Sequence, residues 1–154
     1  MTQDLRTGPL AEPRRLESRS GEETERLGAE MAAELRPGEV VLVAGELGAG
    51  KTTFVRGACR ALGVRVPVTS PTFTIGQRYP ATGPVTSVAH LDLYRIGSLR
   101  DEDPDILADY VGPDTITFVE WPQLAEPELA ELATATRRVR LEHGGGDRRI
   151  VDFG

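Results

Sequence analysis

The sequence predicts an α/β fold with one domain, in which helices flank a mixed, centrally parallel sheet and a C-terminal β-hairpin ends the chain. Three observations lead to this prediction. Short apolar runs typical of buried strands alternate with segments of helical periodicity. Residues 45–52 are GELGAGKT, which fits the pattern G-x-x-x-x-G-K-[ST] directly between such a run and a helical segment. A glycine-rich turn at residues 144–147 separates two strand-like segments. Together these features indicate a single-domain P-loop NTPase fold.

Length and charge limit the alternatives. A chain of 154 residues is long enough for one domain with a substantial core. Residues 1–13 are polar and contain two prolines, so we expect a flexible leader before a domain over residues 14–154. The formal charge of −6 argues against a broad electrostatic grip on nucleic acid.

The single cysteine and the absence of long apolar runs bear on location. Cys59 has no second cysteine to pair with, and its place in a predicted helix indicates a buried thiol. No apolar run approaches the ~20 residues of a membrane span. The N-terminal residues lack the apolar stretch of a signal peptide. We therefore expect a cytoplasmic protein that does not associate with membranes.

The N-terminal half is predicted to contain an edge strand, two helices and a central strand. Residues 15–18 form the short edge strand. Ser20 and Glu23 have capping-box spacing, and the helix they begin carries an apolar stripe of Leu27, Met31 and Leu35. Residues 40–44 are a continuous apolar run, as in a strand buried on both faces. Residues 51–62 form the helix after the glycine-rich loop.

The C-terminal half continues the alternation of strands and helices. Four prolines make residues 64–86 mostly loop and short strand. The remaining predicted elements are a strand at 87–92, a short helix after Pro104, a strand at 115–119, a helix at 126–135, and hairpin strands at 139–143 and 150–153.

The glycine-rich loop predicts nucleotide binding. Its glycines let backbone N–H groups turn towards phosphate oxygens, and the following helix points its N-terminus at the same anion. Lys51 can reach the β- and γ-phosphates, Thr52 supplies a hydroxyl ligand for Mg²⁺, and Thr53 can donate to the α-phosphate. Lys51 is the only lysine among basic residues that are otherwise all arginine, whose planar fork is a poor replacement for a compact ammonium. The expected nucleotide contacts in the loop are Gly48, Ala49, Gly50, Lys51, Thr52 and Thr53.

Two carboxylates at predicted strand ends are candidate partners of the loop. Asp92 and Glu120 each end an apolar run where a P-loop site needs acidic groups, and either could hold Mg²⁺ directly or through water. Glu120 could instead polarise the attacking water. We expect Lys51, Asp92 and Glu120 to be catalytic, and Thr52, Glu120 and Asp92 to bind the metal. His90 lies on the same strand face as Asp92, and either a structural hydrogen bond or catalysis fits it.

Residues 68–73, VTSPTF, lie where GTPases carry a phosphate-sensing switch. Ser70 and Thr72 are the candidate switch hydroxyls, with a plain Ser/Thr-Pro turn as the alternative. Trp121, the only tryptophan, follows Glu120 directly and fits either core packing or a pocket wall. The lysine-containing guanine-recognition motif of GTPases is missing, because Lys51 is the only lysine, and this favours ATP over GTP.

These motifs, in their order and spacing, resemble the TsaE family (older name YjeE), small bacterial ATPases of tRNA threonylcarbamoyladenosine synthesis. The matching segments lie between Ser20 and Gln123. They are ET at 23–24, LG at 27–28, GELGAGKTTF at 45–54, RG at 56–57, SPTF at 70–73, HLDLYR at 90–95 and VEWP at 119–122. Glu46 stands where the family often has aspartate, which is a conservative departure.

The resemblance implies an Mg²⁺-dependent ATPase that works with the TsaB and TsaD proteins and is active mainly within their complex. Those partners transfer a threonylcarbamoyl group to adenosine 37 of tRNAs that read ANN codons, and the tRNA would be held mainly by them. By resemblance, Thr52 and Glu120 are Mg²⁺ positions with Asp92 in support. Further nucleotide-contacting positions implied by the resemblance are Thr24, near the base, Gln123 and Arg148.

Two other functional classes stay open on the sequence. A small-metabolite P-loop kinase would need an acceptor pocket and a lid of arginines, for which Arg95 and Arg100 are candidates. A nucleotide-gated binding protein with negligible turnover is the other. ATP hydrolysis measured alone, with candidate metabolites, and with TsaB and TsaD separates the three classes.

Overall fold

The computed structural model describes residues 14–70, 75–94 and 105–154. Several predicted features lie outside the described residues: the leader at 1–13, the candidate switch residue Thr72, and the candidate lid residues Arg95 and Arg100.

A seven-stranded sheet forms the centre of the fold, in the order β1-β7-β6-β2-β5-β4-β3. The inner strands β6, β2, β5 and β4 are parallel to one another, whereas β3 pairs antiparallel at one edge and β7 and β1 pair antiparallel at the other. The predicted mixed, centrally parallel sheet is confirmed. The strands are β1 (Arg14–Ser18), β2 (Glu39–Gly45), β3 (Gly76–Pro80), β4 (Ser87–Asp92), β5 (Thr115–Glu120), β6 (Ala135–Gly145) and β7 (Arg148–Phe153).

Among the described residues, three α-helices flank the sheet: α1 (Gly21–Ala32), α2 (Lys51–Ala61) and α3 (Glu126–Leu132). Single 3₁₀ turns occupy Leu107–Asp109 and Pro122–Leu124. Helix α1 begins as predicted, because the Ser20 side chain accepts a hydrogen bond from the Glu23 backbone N–H at 3.1 Å.

Helices α1 and α2 approach closely, and two glycines make that possible. A Cβ on Gly28 would lie 2.1 Å from the Phe54 carbonyl oxygen, and one on Gly57 would lie 2.0 Å from the Glu25 carbonyl oxygen. Any side chain at either position would therefore push the two helices apart. This contact holds the first two turns of α2, which follow the glycine-rich loop, against α1.

Two apolar layers cover the faces of the sheet. Helices α1 and α2 cover one face, with Met31, Phe54 and Phe118 buried beneath them. Helix α3 and the Leu107–Asp109 turn cover the other face, where their Leu129 and Leu107 pack with Leu42, Leu91 and Val119 of the sheet. Strands β2 and β5 are both buried, which explains the continuous apolar run in β2. In β5 the buried Thr115 and Thr117 hydroxyls are hydrogen-bonded, to Ser87 and to the Tyr110 carbonyl.

The prediction for residues 126–135 was too long, and the predicted first hairpin strand was too short. Helix α3 ends at Leu132 and Ala133 is already extended. The Thr134 N–H donates to the Gly38 carbonyl at 3.1 Å, and Ala135 pairs with Glu39 of β2. Strand β6 therefore begins at Ala135 rather than Val139, because hydrogen bonding to β2 outweighs the helical propensity of the alanines.

Cys59 is fully buried, and burial raises the pKa of its thiol to about 12. The buried thiol predicted from the sequence is thus confirmed, and it is poorly suited to react. Among the described helices, none combines the length and the apolar character that crossing a membrane requires.

Candidate functional site

A cleft of about 370 Å³ opens where the carboxyl ends of β2, β4 and β5 meet the glycine-rich loop. Parallel strands bring their carboxyl ends to one edge of a sheet, which is where such folds bind ligands. Most of the predicted site residues meet here. Those that line the cleft are Gly48, Gly50, Lys51, Thr52, Thr53, Ser70, Asp92 and Glu120.

The loop owes its shape to left-handed glycines. Gly48 has φ +76° and Gly50 has φ +97°, conformations in which an L-residue with a Cβ is strained. Gly50 is also the N-cap of α2, so the first-turn N–H groups of the helix point into the cleft. Between these glycines, Ala49 is fully buried and contributes only its backbone to the loop. The result is a concave set of N–H groups suited to an anion.

Lys51 lies across the mouth of this loop and is only 5% exposed. Its ammonium donates to the carbonyl oxygens of Gly45 at 2.8 Å and Glu46 at 2.7 Å. It also lies 4.3 Å from the centroid of the Trp121 ring, a cation–π distance. Burial lowers the pKa of Lys51, and the nearby Glu120 and Asp92 carboxylates oppose that shift.

Thr52, Glu120 and Ser70 form a hydrogen-bonded set beside Lys51. The Thr52 hydroxyl donates to Glu120 Oε2 at 2.9 Å, and Thr52 Oγ1 is 2.8 Å from Ser70 Oγ. Since the Thr52 proton is used on Glu120, Ser70 is the donor in the second bond. Thr52 therefore directly contacts both the carboxylate at the end of β5 and Ser70 of the predicted switch.

Asp92 is the neighbour of Glu120 on the adjacent strand, because the two residues are paired in the β4–β5 register. Burial raises the pKa of Asp92, a hydrogen bond from the Tyr94 N–H at 3.0 Å opposes this, and the Glu120 charge adds to the rise. Two carboxylates so close together repel each other, and a cation between them would relieve that repulsion. Oxygen donors of this kind are those that Mg²⁺ prefers.

Trp121 combines a strained backbone with a place in the cleft wall. It has φ 58° and ψ 57°, and it is the only non-glycine residue with positive φ among the described residues. Its ring packs against Tyr94 with centroids 4.8 Å apart. Of the two interpretations drawn from the sequence, the geometry matches the pocket wall, and backbone strain of this kind concentrates at functional sites.

Besides the buried Ala49, three predicted nucleotide contacts do not line this cleft. Thr24 is buried at the start of α1, where its hydroxyl is 2.6 Å from Ser18 Oγ. Gln123 lines a neighbouring pocket of about 400 Å³ that shares Leu47, Tyr94 and Trp121 with the cleft. Arg148 extends to the opposite side of β7 and pairs with Glu17.

Arg149, which the sequence prediction missed, occupies the place expected for Arg148. It lines the cleft, and its guanidinium donates to the Gly48 carbonyl at 3.1 Å. Successive residues of a strand point to opposite faces, so only one of the two arginines can face the loop. The sequence predicts that the two arginines point to opposite faces of the strand, but it does not show which of them faces the loop.

His90 is buried beneath the cleft. Its Nε2 is 2.6 Å from Glu120 Oε2, the same oxygen that accepts from Thr52. Sequence reasoning placed His90 on the same strand face as Asp92 but could not identify Glu120 as its partner, since 30 residues separate them.

Comparisons with known proteins identify relatives over most of the chain. The family model "Threonylcarbamoyl adenosine biosynthesis protein TsaE" matches residues 18–151. The chain is 41% identical over 121 residues to the tRNA threonylcarbamoyladenosine biosynthesis protein TsaE of Streptomyces coelicolor, with 79% of this chain and 80% of the relative covered. It is 36% identical over 133 residues to the protein of the same name from Bacillus subtilis, with 86% and 79% covered. The crystal structure of Bacillus subtilis YdiB matches with a TM-score of 0.70 at 30% identity and covers 92% of this chain and 84% of that chain.

Proposed function

Because this chain belongs to the TsaE family, we propose that it is the ATP-binding and ATP-hydrolysing subunit required for threonylcarbamoylation of adenosine 37 in tRNAs reading ANN codons. In this proposal it acts with TsaB and TsaD. One observation carries the ATPase part: the only lysine, a threonine hydroxyl and two strand-end carboxylates line one cleft at the N-terminus of α2. The tRNA part rests on membership of the family.

The loop and Lys51 account for phosphate binding. An ammonium has three N–H donors, and two of those on Lys51 are on loop carbonyls. The third is left for a phosphate oxygen, and the helix N-terminus adds partial positive charge at the same place. Arg149 adds a guanidinium to the other side of the loop. These groups favour a bound polyphosphate over a single carboxylate.

Thr52, Glu120 and Asp92 would hold Mg²⁺, since their oxygen donors and the crowding of two carboxylates fit that ion. When bound, the metal neutralises charge that develops on the phosphate oxygens. Within residues 14–70, 75–94 and 105–154, no three acidic, histidine or cysteine side chains could by themselves hold a metal ion. The site therefore needs phosphate and water oxygens to complete the coordination, which is usual for Mg²⁺ bound with a nucleotide.

The two carboxylates are also suited to orient the attacking water. Glu120 Oε2 accepts the hydrogen bond from the Thr52 hydroxyl, so this carboxylate lies beside a proposed Mg²⁺ ligand. Asp92 is half-buried, and burial raises its pKa, which makes it a stronger proton acceptor than an exposed aspartate. Ser70, in contact with Thr52, links the loop after α2 to the place where the γ-phosphate would lie.

A small-metabolite kinase is the second candidate function, and one observation favours it. The neighbouring pocket of about 400 Å³, lined in part by Tyr94, Gln123 and Arg140, adjoins the cleft and could accept a second substrate. The two functions differ in the fate of the γ-phosphate, which goes to water in one and to a metabolite in the other.

ATP hydrolysis and tRNA modification measured together test the proposal. The wild-type protein is assayed with Mg²⁺ and ATP alone, with candidate metabolites, and with TsaB, TsaD and the other substrates of the reaction on unmodified tRNA. We expect ATP turnover to rise with TsaB and TsaD, modified adenosine to form, and Glu120→Ala to abolish both. Glu131→Ala, which removes an exposed carboxylate on α3 that does not line the cleft, is the matched control. Modification that proceeds without this chain, or phosphate transfer to a metabolite, contradicts the proposal.

A further inference from the structure

His90 is a buried polar side chain that touches the proposed site and has no role in the ATPase chemistry described above. It is 0% exposed, in the middle of β4, and does not line the cleft. Its Nε2 lies 2.6 Å from Glu120 Oε2. Because a carboxylate oxygen only accepts hydrogen bonds, Nε2 must carry the proton and donate it.

The other ring nitrogen determines the tautomer. Nδ1 of His90 is buried and has no hydrogen-bond partner among the described residues. A proton on Nδ1 would be a buried donor with nothing to accept it, which is rarer and more costly than an unused lone pair. Of the two neutral tautomers, the surroundings therefore favour the one with its hydrogen on Nε2.

The Glu120 carboxylate does not keep one orientation without a hydrogen-bond partner. The last torsion of a glutamate side chain is broad and has no sharp preferred angle. Both hydrogen bonds to this carboxylate, from His90 and from Thr52, fall on Oε2. These two donors, one from strand β4 and one from helix α2, fix that torsion, and His90 lies in the buried interior of the sheet.

We propose that His90 is a positioning residue, whose Nε2–H holds the Glu120 carboxylate in the one orientation that serves Thr52 and the metal site. The inference rests on the proposed ATPase function for its catalytic consequence, whereas the tautomer and the hydrogen bond do not depend on that function. Partners that orient metal-binding carboxylates typically contribute about 10- to 100-fold to activity or metal affinity.

Three substitutions of His90 separate positioning from packing. In His90→Gln, the side-chain amide nitrogen can occupy the place of Nε2 and donate to Glu120. His90→Asn has the same amide but is one carbon shorter, so its nitrogen falls at the place of Nδ1. His90→Phe fills the ring volume without any donor. Thermal unfolding of each variant verifies that it is folded.

We expect His90→Gln to keep kcat within about 3-fold of wild type in the complex with TsaB and TsaD, and His90→Asn and His90→Phe to lose about 10- to 100-fold. The Mg²⁺ concentration for half-maximal activity should rise in the two defective variants, while nucleotide affinity without metal stays near normal. A packing role predicts no advantage of Gln over Asn. Equal activities of His90→Gln and His90→Asn, or a fully active His90→Phe, would overturn the proposal.

A spectroscopic measurement on the wild-type protein keeps the inference testable if a variant fails to fold or if ATP turnover is absent. The chain has two histidines, so ring signals that vanish in His90→Gln, or that remain in His143→Gln, belong to His90. Long-range ¹⁵N–¹H spectra should show a protonated Nε2 and an unprotonated Nδ1 for His90. A ring with its proton on Nδ1 refutes the hydrogen bond to Glu120. Absent ATPase activity with the Nε2–H tautomer present would instead count against the proposed function alone.

Discussion

Replacing Lys51 by arginine tests the proposal that the loop binds phosphate through a compact ammonium. Lys51 is 5% exposed, and its ammonium donates to the Gly45 and Glu46 carbonyls and lies 4.3 Å from the Trp121 ring centroid. A guanidinium is larger and planar, so it cannot reach both carbonyls and the phosphate from this enclosed position. We therefore expect Lys51→Arg to fail almost as completely as Lys51→Ala.

The size of the loss follows from the donors. Two of the three N–H groups of Lys51 are on loop carbonyls, which leaves one for phosphate. One hydrogen bond between charged groups in a site shielded from water contributes about 2–4 kcal/mol, which corresponds to roughly 30- to 1,000-fold in kcat/KM. Lys51→Arg and Lys51→Ala should both lose activity within this range or beyond it.

The assay is steady-state ATP hydrolysis in the complex with TsaB and TsaD, with the melting temperature as a check of folding. Arg60→Lys is the matched control, because it exchanges the same two residue types at an exposed position on the same helix. It should leave turnover unchanged. Full activity of Lys51→Arg would refute the claim that only a compact ammonium can serve at this position.

Single contacts in and around the cleft lead to three further predictions. Ser70→Ala removes the donor to Thr52, so ATP turnover or association with the partner proteins should fall, while ADP affinity measured by calorimetry stays near normal. Unchanged turnover and association would mean that residues 70–72 are a plain turn. Burial raises the pKa of Asp92, so the charge on this carboxylate destabilises the folded state near neutral pH, and Asp92→Asn should raise the Tm at pH 7. The gain should vanish below the ordinary pKa of 3.8, because the carboxyl is then protonated in both the folded and the unfolded state. A lower Tm of Asp92→Asn at pH 7 contradicts this prediction. Arg149→Ala should weaken nucleotide binding by roughly tenfold whereas Arg148→Ala should not, and calorimetry showing the reverse would return the role to Arg148.

Local patterns in the sequence were enough to predict the elements that build the cleft. The apolar run of β2, the glycines and the helical segment after Lys51 are contiguous, so their arrangement follows from short-range rules. Asp92 and Glu120 were predicted to lie together because each ends a buried parallel strand, and the β4–β5 register pairs them.

Contacts between segments that are distant along the chain could not be predicted from the sequence. The hairpin of β6 and β7 contains a register shift between His143 and Gly145, and such an irregularity determines which of two adjacent arginines faces the loop. Nothing in the turn sequence specifies that shift. The end of α3 was misplaced for a similar reason, since the pairing of Ala135 with Glu39 is a contact across 96 residues that local propensity does not contain.

The central claim, that the cleft over Lys51 binds Mg²⁺ and ATP, is tested most directly by the fluorescence of Trp121. This is the only tryptophan in the chain, and its ring lies in the cleft wall against the Lys51 ammonium. Titration with ATP and Mg²⁺ should change the emission to saturation, GTP should require a higher concentration, and Lys51→Ala should give no saturable change over the same range. A wild-type protein whose emission does not respond to ATP, or a Lys51→Ala variant that responds like wild type, would contradict nucleotide binding in this cleft.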